Sequence, residues 1–277
     1  MLITNFSRFT KKCIINLKRV YLCINQIILT MEENRLLIGI DDTDNPTSKG
    51  TGFLTRKLGK QIEKSNLGKV LNITRHQLFL SKKINYTNRN NSACIEVATC
   101  NYDGLIAFCK DFVIRKSEKS AHPAVVFAKF ESVSTEVIEF AAKAKKMIVT
   151  AKEAISLVKK NNFIMEIINR KNKGVIGALS AIGLRVTGND GRVIWAKGFE
   201  IDGMKGTYMA GQVYYETHVD TIKTADGYKV PTNATINFDN KLIKPILEDN
   251  SVTLLVEEIN DKNGENFICT NFKASIN

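Results

Sequence analysis

A five-residue apolar run, Leu36 to Ile40, ends abruptly in three carboxylates within four positions, Asp41, Asp42 and Asp44. A run so short, bounded by polar residues, reads as a buried strand. A polar, glycine-bearing loop follows, and then Phe53, Leu54, Leu58 and Ile62 recur at helical spacing among cations as far as Ser65. Val70 to Leu80 and Ala93 to Ala98 read as further strands, separated by the polar stretch from Tyr86 to Ser92. Gly104 to Ile114 and Thr135 to Lys145 read as helices, and Thr150 with Glu153 forms a capping-box pattern that opens another through Ala154, Ile155 and Val158. Helices alternating with strands make the amino-terminal part α/β-like.

From Gly183 the texture becomes β-rich. Leu184 to Val186 and Val193 to Trp195 flank the turn residues Gly188, Asn189, Asp190 and Gly191. Thr221 to Lys223 and Tyr228 to Val230 flank Asp226 and Gly227, and Val252 to Ile259 and Asn266 to Thr270 flank Asp261 to Gly264. All three patterns predict hairpins. The fold class is therefore α+β, an α/β-like portion over 31–160 followed by a β-rich portion over 161–277.

Residues 1–30 are expected to form an extension outside the fold. They carry Arg8, Lys11, Lys12, Lys18 and Arg19 and no acid, and Met31 stands directly before the first clear strand. A transit-type amphipathic helix is the competing reading, because Ile14, Leu17, Tyr21, Ile24 and Ile28 recur at helical spacing. Asn16, Lys18, Arg19 and Asn25 break the segment too often for a membrane span, so no membrane partner is expected. The net charge of +12 falls to +7 when those five cations are set aside. Mildly basic chains attract phosphate-bearing partners, and RNA bound on such terms would be held weakly, with strong salt sensitivity. The six cysteines include no Cys-x-x-Cys pair and follow no secretory signal, so reduced thiols in a cytoplasmic protein are expected. A solute-binding transporter component would need an export signal and a lipid-anchoring cysteine; neither is evident.

Asp41, Asp42 and Asp44 repel one another, a cost commonly offset by a hard cation such as Mg²⁺ that bridges to phosphates. Strand alternation would send Asp41 and Asp42 to opposite sides unless the strand ends at Asp41. A solvated acidic turn, with Asp44 or Asn45 capping the bend before Pro46, explains the same residues. Thr47, Ser48, Lys49, Gly50, Thr51 and Gly52 supply hydroxyls, a cation and permissive glycines just before a helix, a suitable phosphate cradle. Thr51 as a plain N-cap is the bland alternative. Lys171, Lys173, Gly174 and Gly177 offer a second cradle, although close helix packing explains the glycines nearly as well. His76, one of three histidines, reads as structural, and 85–92 as an ordinary or a nucleotide-recognition loop.

Together these stretches resemble the kinase-like and ferredoxin-like portions of the archaeal tRNA-isoleucine agmatidine synthetase family. The resemblance is carried by Ile38 to Asp44, Ile84 to Tyr86, Arg89 to Ala93, and Gly174 to Gly183, and covers roughly Leu36 to Trp195. A group of shorter stand-alone relatives is more similar still, sharing Gly50 to Gly52, Thr74 to Leu78, Asn91 to Cys94, and Gly188 to Arg192. The resemblance implies a kinase-like ATP- and Mg²⁺-binding portion over 31–160 and a ferredoxin-like portion after it. Asp41, Asp42 and Asp44 would hold Mg²⁺ and the ATP phosphates, and Thr51 falls at a reactive threonine, though Gly50 stands where the family has cysteine. Lys49, Gly50 and Gly52 would face the phosphates, with Lys173, Gly174 and Gly177 opposite.

The family continues into an OB-fold and a zinc ribbon that grip tRNA, so agmatidine synthesis by this chain alone is not expected. The expectation is an Mg²⁺-dependent, ATP-binding phosphoryl-transfer enzyme with an unidentified acceptor. Its rival is a non-catalytic nucleotide- or RNA-binding module.

Overall fold

The computed structural model describes residues 34–87, 89–169, 172–200, 204–238, 243–259 and 267–270. The extension expected over 1–30, Lys171, and the turn expected over 261–264 lie outside the described residues.

The apolar run forms β1 (Arg35–Asp41), buried along its interior. It is followed by α1 (Thr51–Lys64), β2 (Lys69–Gln77), β3 (Asn91–Ala98), α2 (Tyr102–Lys116) and β4 (Ala124–Lys129). These four strands lie in the order β4-β1-β3-β2 with every neighbour antiparallel. That order is the split β-α-β arrangement of ferredoxin-like folds. It arises because each helix crosses over and leaves room for a strand in between.

Period-two alternation along β1 explains why the run has no polar interruption. Leu36, Ile38 and Ile40 enter a core with Leu54, Leu58 and Ile62 of α1 and Leu105, Cys109 and Val113 of α2. Leu37 faces the opposite side, where α3 (Thr135–Lys146), α4 (Ala151–Lys160) and α5 (Gly174–Val186) form a second helical layer. The sheet is thus covered on both faces. Thr150 accepts from the Glu153 amide while the Glu153 carboxylate accepts from the Thr150 amide, the capping box expected for α4. β5 (Ile164–Ile167) adds antiparallel to β4 at the sheet edge.

α5 corrects one expected hairpin. Leu184 to Val186 form its last turn rather than a strand. Small residues hold this helix flush against its neighbours: a side chain at Gly39 of β1 would overlap the Ala178 carbonyl, and one at Gly183 would press on the Val137 carbonyl and Ala141 of α3. The glycines that suggested a turn at 188–191 do turn the chain, with φ of +70° at Gly188 and +107° at Gly191, but they connect a helix to β6 (Arg192–Ala196).

β6 pairs antiparallel with β2 and carries the sheet into the carboxy-terminal elements. These are β7 (Phe199–Glu200), β8 (Thr207–Met209), α6 (Ala210–Thr217), β9 (Thr221–Thr224), β10 (Thr235–Asn237), β11 (Ile246–Glu248), β12 (Ser251–Glu258) and β13 (Phe267–Cys269). The path continues β6-β11-β12-β13-β10-β8, with β7 on β6 and β9 on β12. β12 and β13 pair antiparallel, as the third expected hairpin requires. Gly227, at φ +96°, turns the chain between β9 and a bridge from Lys223 to Lys229. The molecule is α+β. Among the described residues no helix is long and apolar enough to cross a membrane.

A buried ionic network ties the two halves. Glu96 of β3 accepts from Arg35 at 3.1 Å and Asn72 at 2.8 Å and pairs closely with Arg185 of α5. Arg185 donates onward to Asn72 and to Asn250 in the β11–β12 turn, each at 3.1 Å.

Candidate active site

β1 ends at Asp41, and the next residue, Asp42, turns the chain with φ +55°. Ending the strand there frees the following carboxylates from alternation. Asp41, Asp42 and Asp44 all line one cavity of about 680 Å³, together with Gly50, Thr51 and Gly52 of the loop and of α1, Lys173 just before α5, and Gly177 of α5.

Each of these side chains has a physical cause for its place. Thr51 is buried; its hydroxyl donates to Asp44 at 2.8 Å and lies 3.1 Å from the Thr43 hydroxyl. The second oxygen of Asp44 accepts from Thr87 at 2.8 Å. Asn45 holds the bend before Pro46, its side chain accepting from the amides of Thr47 and Ser48. Asp41 lies against α5, and a Cβ at Gly177 would overlap its carboxylate. Burial drives the Asp41 carboxyl well above the ordinary carboxylate range; an amide hydrogen bond from Asp42 opposes this, and the charges of Asp42 and Asp44 add to it. Asp42 is also raised, chiefly by burial, with His122 and Lys173 pulling the other way and Asp44 adding to the rise.

Two helices begin at this cavity, and neither has a side-chain cap: α1 starts after Gly50 and α5 after Lys173. Uncapped helix starts present amide donors and a positive dipole end, which favours an anion between them. The same cavity is lined by Arg56 of α1, Arg75 of β2 and Arg89. Arg75 is depressed by burial and by the charges of Arg89 and Arg56. Leu78, Ala144, Met147, Ile148, Val149 and Ile176 supply the apolar part of the lining. Met147 and Ile148 are about half exposed, at 50% and 49%.

Of the residues expected in the site, two do not line the cavity. Lys49 instead lies over the Phe53 ring at 4.5 Å, and Gly174 packs against the Asp41 carbonyl and the start of β4, where a side chain would not fit. Thr51 is the first residue of α1 rather than its N-cap. Among the described residues no three His, Cys, Asp or Glu side chains converge to hold a metal by themselves. The reason is visible at Asp44, whose two oxygens are engaged by Thr51 and Thr87. An Mg²⁺ ion needs only one or two carboxylates when phosphates and water complete its shell, and crowded Asp41 and Asp42 suit that role.

Sequence reasoning missed Arg56, which looks like any solvated helix cation until α1 turns it inward. Arg75 stood out as polar in a core strand, and that was its signal. His76 is fully buried and structural: its ring contacts Thr74 and Asp190, each at 2.8 Å. Gly191 packs on the same ring, so the stretches 74–78 and 188–192 meet.

No family model matches the chain. An uncharacterised protein of Methanocaldococcus jannaschii is 33% identical over 162 residues, covering 57% of this chain and 52% of the relative. The isoleucine-tRNA 2-agmatinylcytidine synthetase TiaS of Archaeoglobus fulgidus is 30% identical over 153 residues, covering 54% of this chain and 36% of the synthetase. The Pyrococcus horikoshii synthetase is 30% identical over 156 residues, covering 53% and 35%. A solved complex of TiaS with its isoleucine tRNA and ATP superposes with a TM-score of 0.48 and 27% identity, over 54% of this chain and 36% of that one. The chain spans about half the length of the first of these relatives and about a third of the synthetases. Over somewhat more than half of its own length, therefore, the chain is a partial relative of the isoleucine-tRNA 2-agmatinylcytidine synthetases.

Proposed function

We propose that this protein is a cytoplasmic, Mg²⁺-dependent enzyme that binds ATP in the cavity and transfers a phosphoryl group to an acceptor. The observation that carries the reading is the convergence of two helix starts without side-chain caps on one cavity lined by both carboxylates and arginines. Partial kinship to an agmatinylcytidine synthetase supports it.

Phosphoryl transfer asks mainly for positioning and charge neutralisation. The amide ends of α1 and α5, with Lys173, hold the phosphates. Arg56 and Arg75 compensate the phosphate charge beside the α1 start. Asp41 and Asp42 would hold Mg²⁺, which when bound neutralises charge on the phosphates and aligns them. Thr51 stands at the position where the related synthetase family has a reactive threonine, and its hydrogen bond to Asp44 orients that carboxylate. The acceptor hydroxyl gives its proton to Asp44 and its oxygen bonds to the γ-phosphorus as the bond to the β–γ bridging oxygen breaks, and ADP leaves with that electron pair. The apolar wall takes the nucleobase.

Calorimetric titration with a non-hydrolysable ATP analogue tests the reading. Binding should require Mg²⁺, and Asp42→Asn should weaken it about tenfold or more, the scale of one charge-assisted contact. Equal binding with and without Mg²⁺, or unchanged affinity in Asp42→Asn, would overturn it.

A further inference from the structure

The cations of the arginine wall do not stop at the cavity rim. Arg75 of β2 stands directly opposite Arg192 of β6 in the strand register, and like charges so placed destabilise a sheet. Arg192 pairs in turn with Ile246 of β11 and donates through one guanidinium nitrogen, at 3.2 Å, to the carbonyl of Ile243, the residue before Lys244. Arg89 reaches the same place from the loop between β2 and β3. Arg75 and Arg89 line the cavity, whereas Arg192 and Lys244 lie beyond it. Burial and the charges of Arg192, Arg89 and Arg75 depress Lys244. Among the described residues, Arg75, Arg89 and Lys244 have no ion-pair partner, and Asp44 is the acidic charge that Arg75 feels.

We propose that Arg75, Arg89, Arg192 and Lys244 form a second anion site at the cavity mouth, which holds a phosphate group of the acceptor, so that the acceptor is itself a phosphate ester. A nucleotide seated between the two helix starts leaves Lys244 uncompensated, because it lies outside the cavity. A monoanionic carboxylate would leave most of the repulsion in place. A phosphate dianion, or successive phosphates, balances several cations at once, and guanidinium groups match its oxygens two at a time. The assignment of this phosphate to an acceptor rests on the ATP reading above; the anion affinity of the cluster does not.

The test uses the full chain saturated with the ATP analogue and Mg²⁺, titrated in separate arms with a nucleoside 5′-monophosphate and with a short single-stranded RNA. At least one arm should bind, and Lys244→Met should weaken it about tenfold, the scale of one charge-assisted contact, leaving analogue affinity unchanged. Arg192→Lys, which keeps the charge and loses the fork, should weaken it less. Binding of the monophosphate identifies a small phosphate ester, and binding of RNA alone identifies a polynucleotide backbone; both support the site. Failure of both arms, or unaltered affinity in Lys244→Met, overturns it. So does a parallel loss of analogue affinity, which would assign the cluster to ATP. If the analogue itself does not bind, the ATP reading fails, and the same titrations without analogue still decide the anion site.

Discussion

Asp41 shows how a single residue is held at a cost. It is the last residue of a buried strand, pressed against Gly177 and crowded by Asp42 and Asp44. Its folded-state carboxyl is raised above the unfolded value, so the charge destabilises the native state at neutral pH, and that cost vanishes below the unfolded value of 3.8. Asp41→Asn should therefore raise the melting temperature at pH 7, with the gain shrinking towards pH 4, while Mg²⁺-dependent analogue binding is lost. Thermal melts across that range check the sign. Gly177→Ala gives the opposite test. Alanine inside a helix ordinarily stabilises by about 1 kcal/mol over glycine, yet here the methyl group overlaps the Asp41 carboxylate. A net loss of about 1–3 kcal/mol, the usual cost of overpacking, is expected in denaturant titrations. His76 is the third case. Burial lowers its pKa from 6.5, with the hydrogen bond and charge of Asp190 opposing. Below pH 6.5 the unfolded chain takes up a proton that the folded ring refuses, so stability should fall as pH drops from 7 through 6.5 towards the folded value. In His76→Asn that part of the pH dependence should disappear. At this scale the acidic cluster and Thr51 were legible from type and spacing, because carboxylates so dense are uncommon without a purpose. Arg56 was not legible, since nothing local distinguishes a cation turned inward from one in water.

Among the elements, short-range patterns read well and packing-dependent ones did not. The capping box at Thr150 is a contact within four residues, and it forms as the pattern requires. Thr150→Ala should cost about 1 kcal/mol, measurable by chemical denaturation, with no change in analogue affinity. The run from Leu36 to Ile40 is a strand with both faces covered, which its unbroken apolar character already suggested. The segment 184–186 misled because β-branched and apolar residues beside a glycine turn look like half a hairpin. What makes it helical is the fit of Gly177, Ala178, Ala181 and Gly183 against β1 and α3, a contact with segments far away in sequence.

At the scale of the whole molecule, the sheet runs from β5 to β8, and its continuity through β6 and β11 rests on one register pair there, Arg192 with Ile246. The Glu96–Arg185 pair reinforces that junction through Asn250. Arg185→Met leaves buried Glu96 with Arg35 as its one remaining guanidinium partner, and removing a partner from a buried pair costs about 3–5 kcal/mol. Equilibrium unfolding should show that loss, and a wild-type-like midpoint would remove the network from the account of how the halves cohere. Local sequence was enough for the strand, the acidic turn at its end, the glycine-bearing loop before α1 and the capping box, because each depends on residues within a few positions and on general side-chain chemistry. Tertiary packing was needed to place α5 beside Asp41, to set Arg75 against Arg192, and to engage Asp44 with hydroxyls from the start of α1 and from the β2–β3 loop. Those facts follow from strand register and helix packing between distant segments, whose energies no local stretch of chain contains.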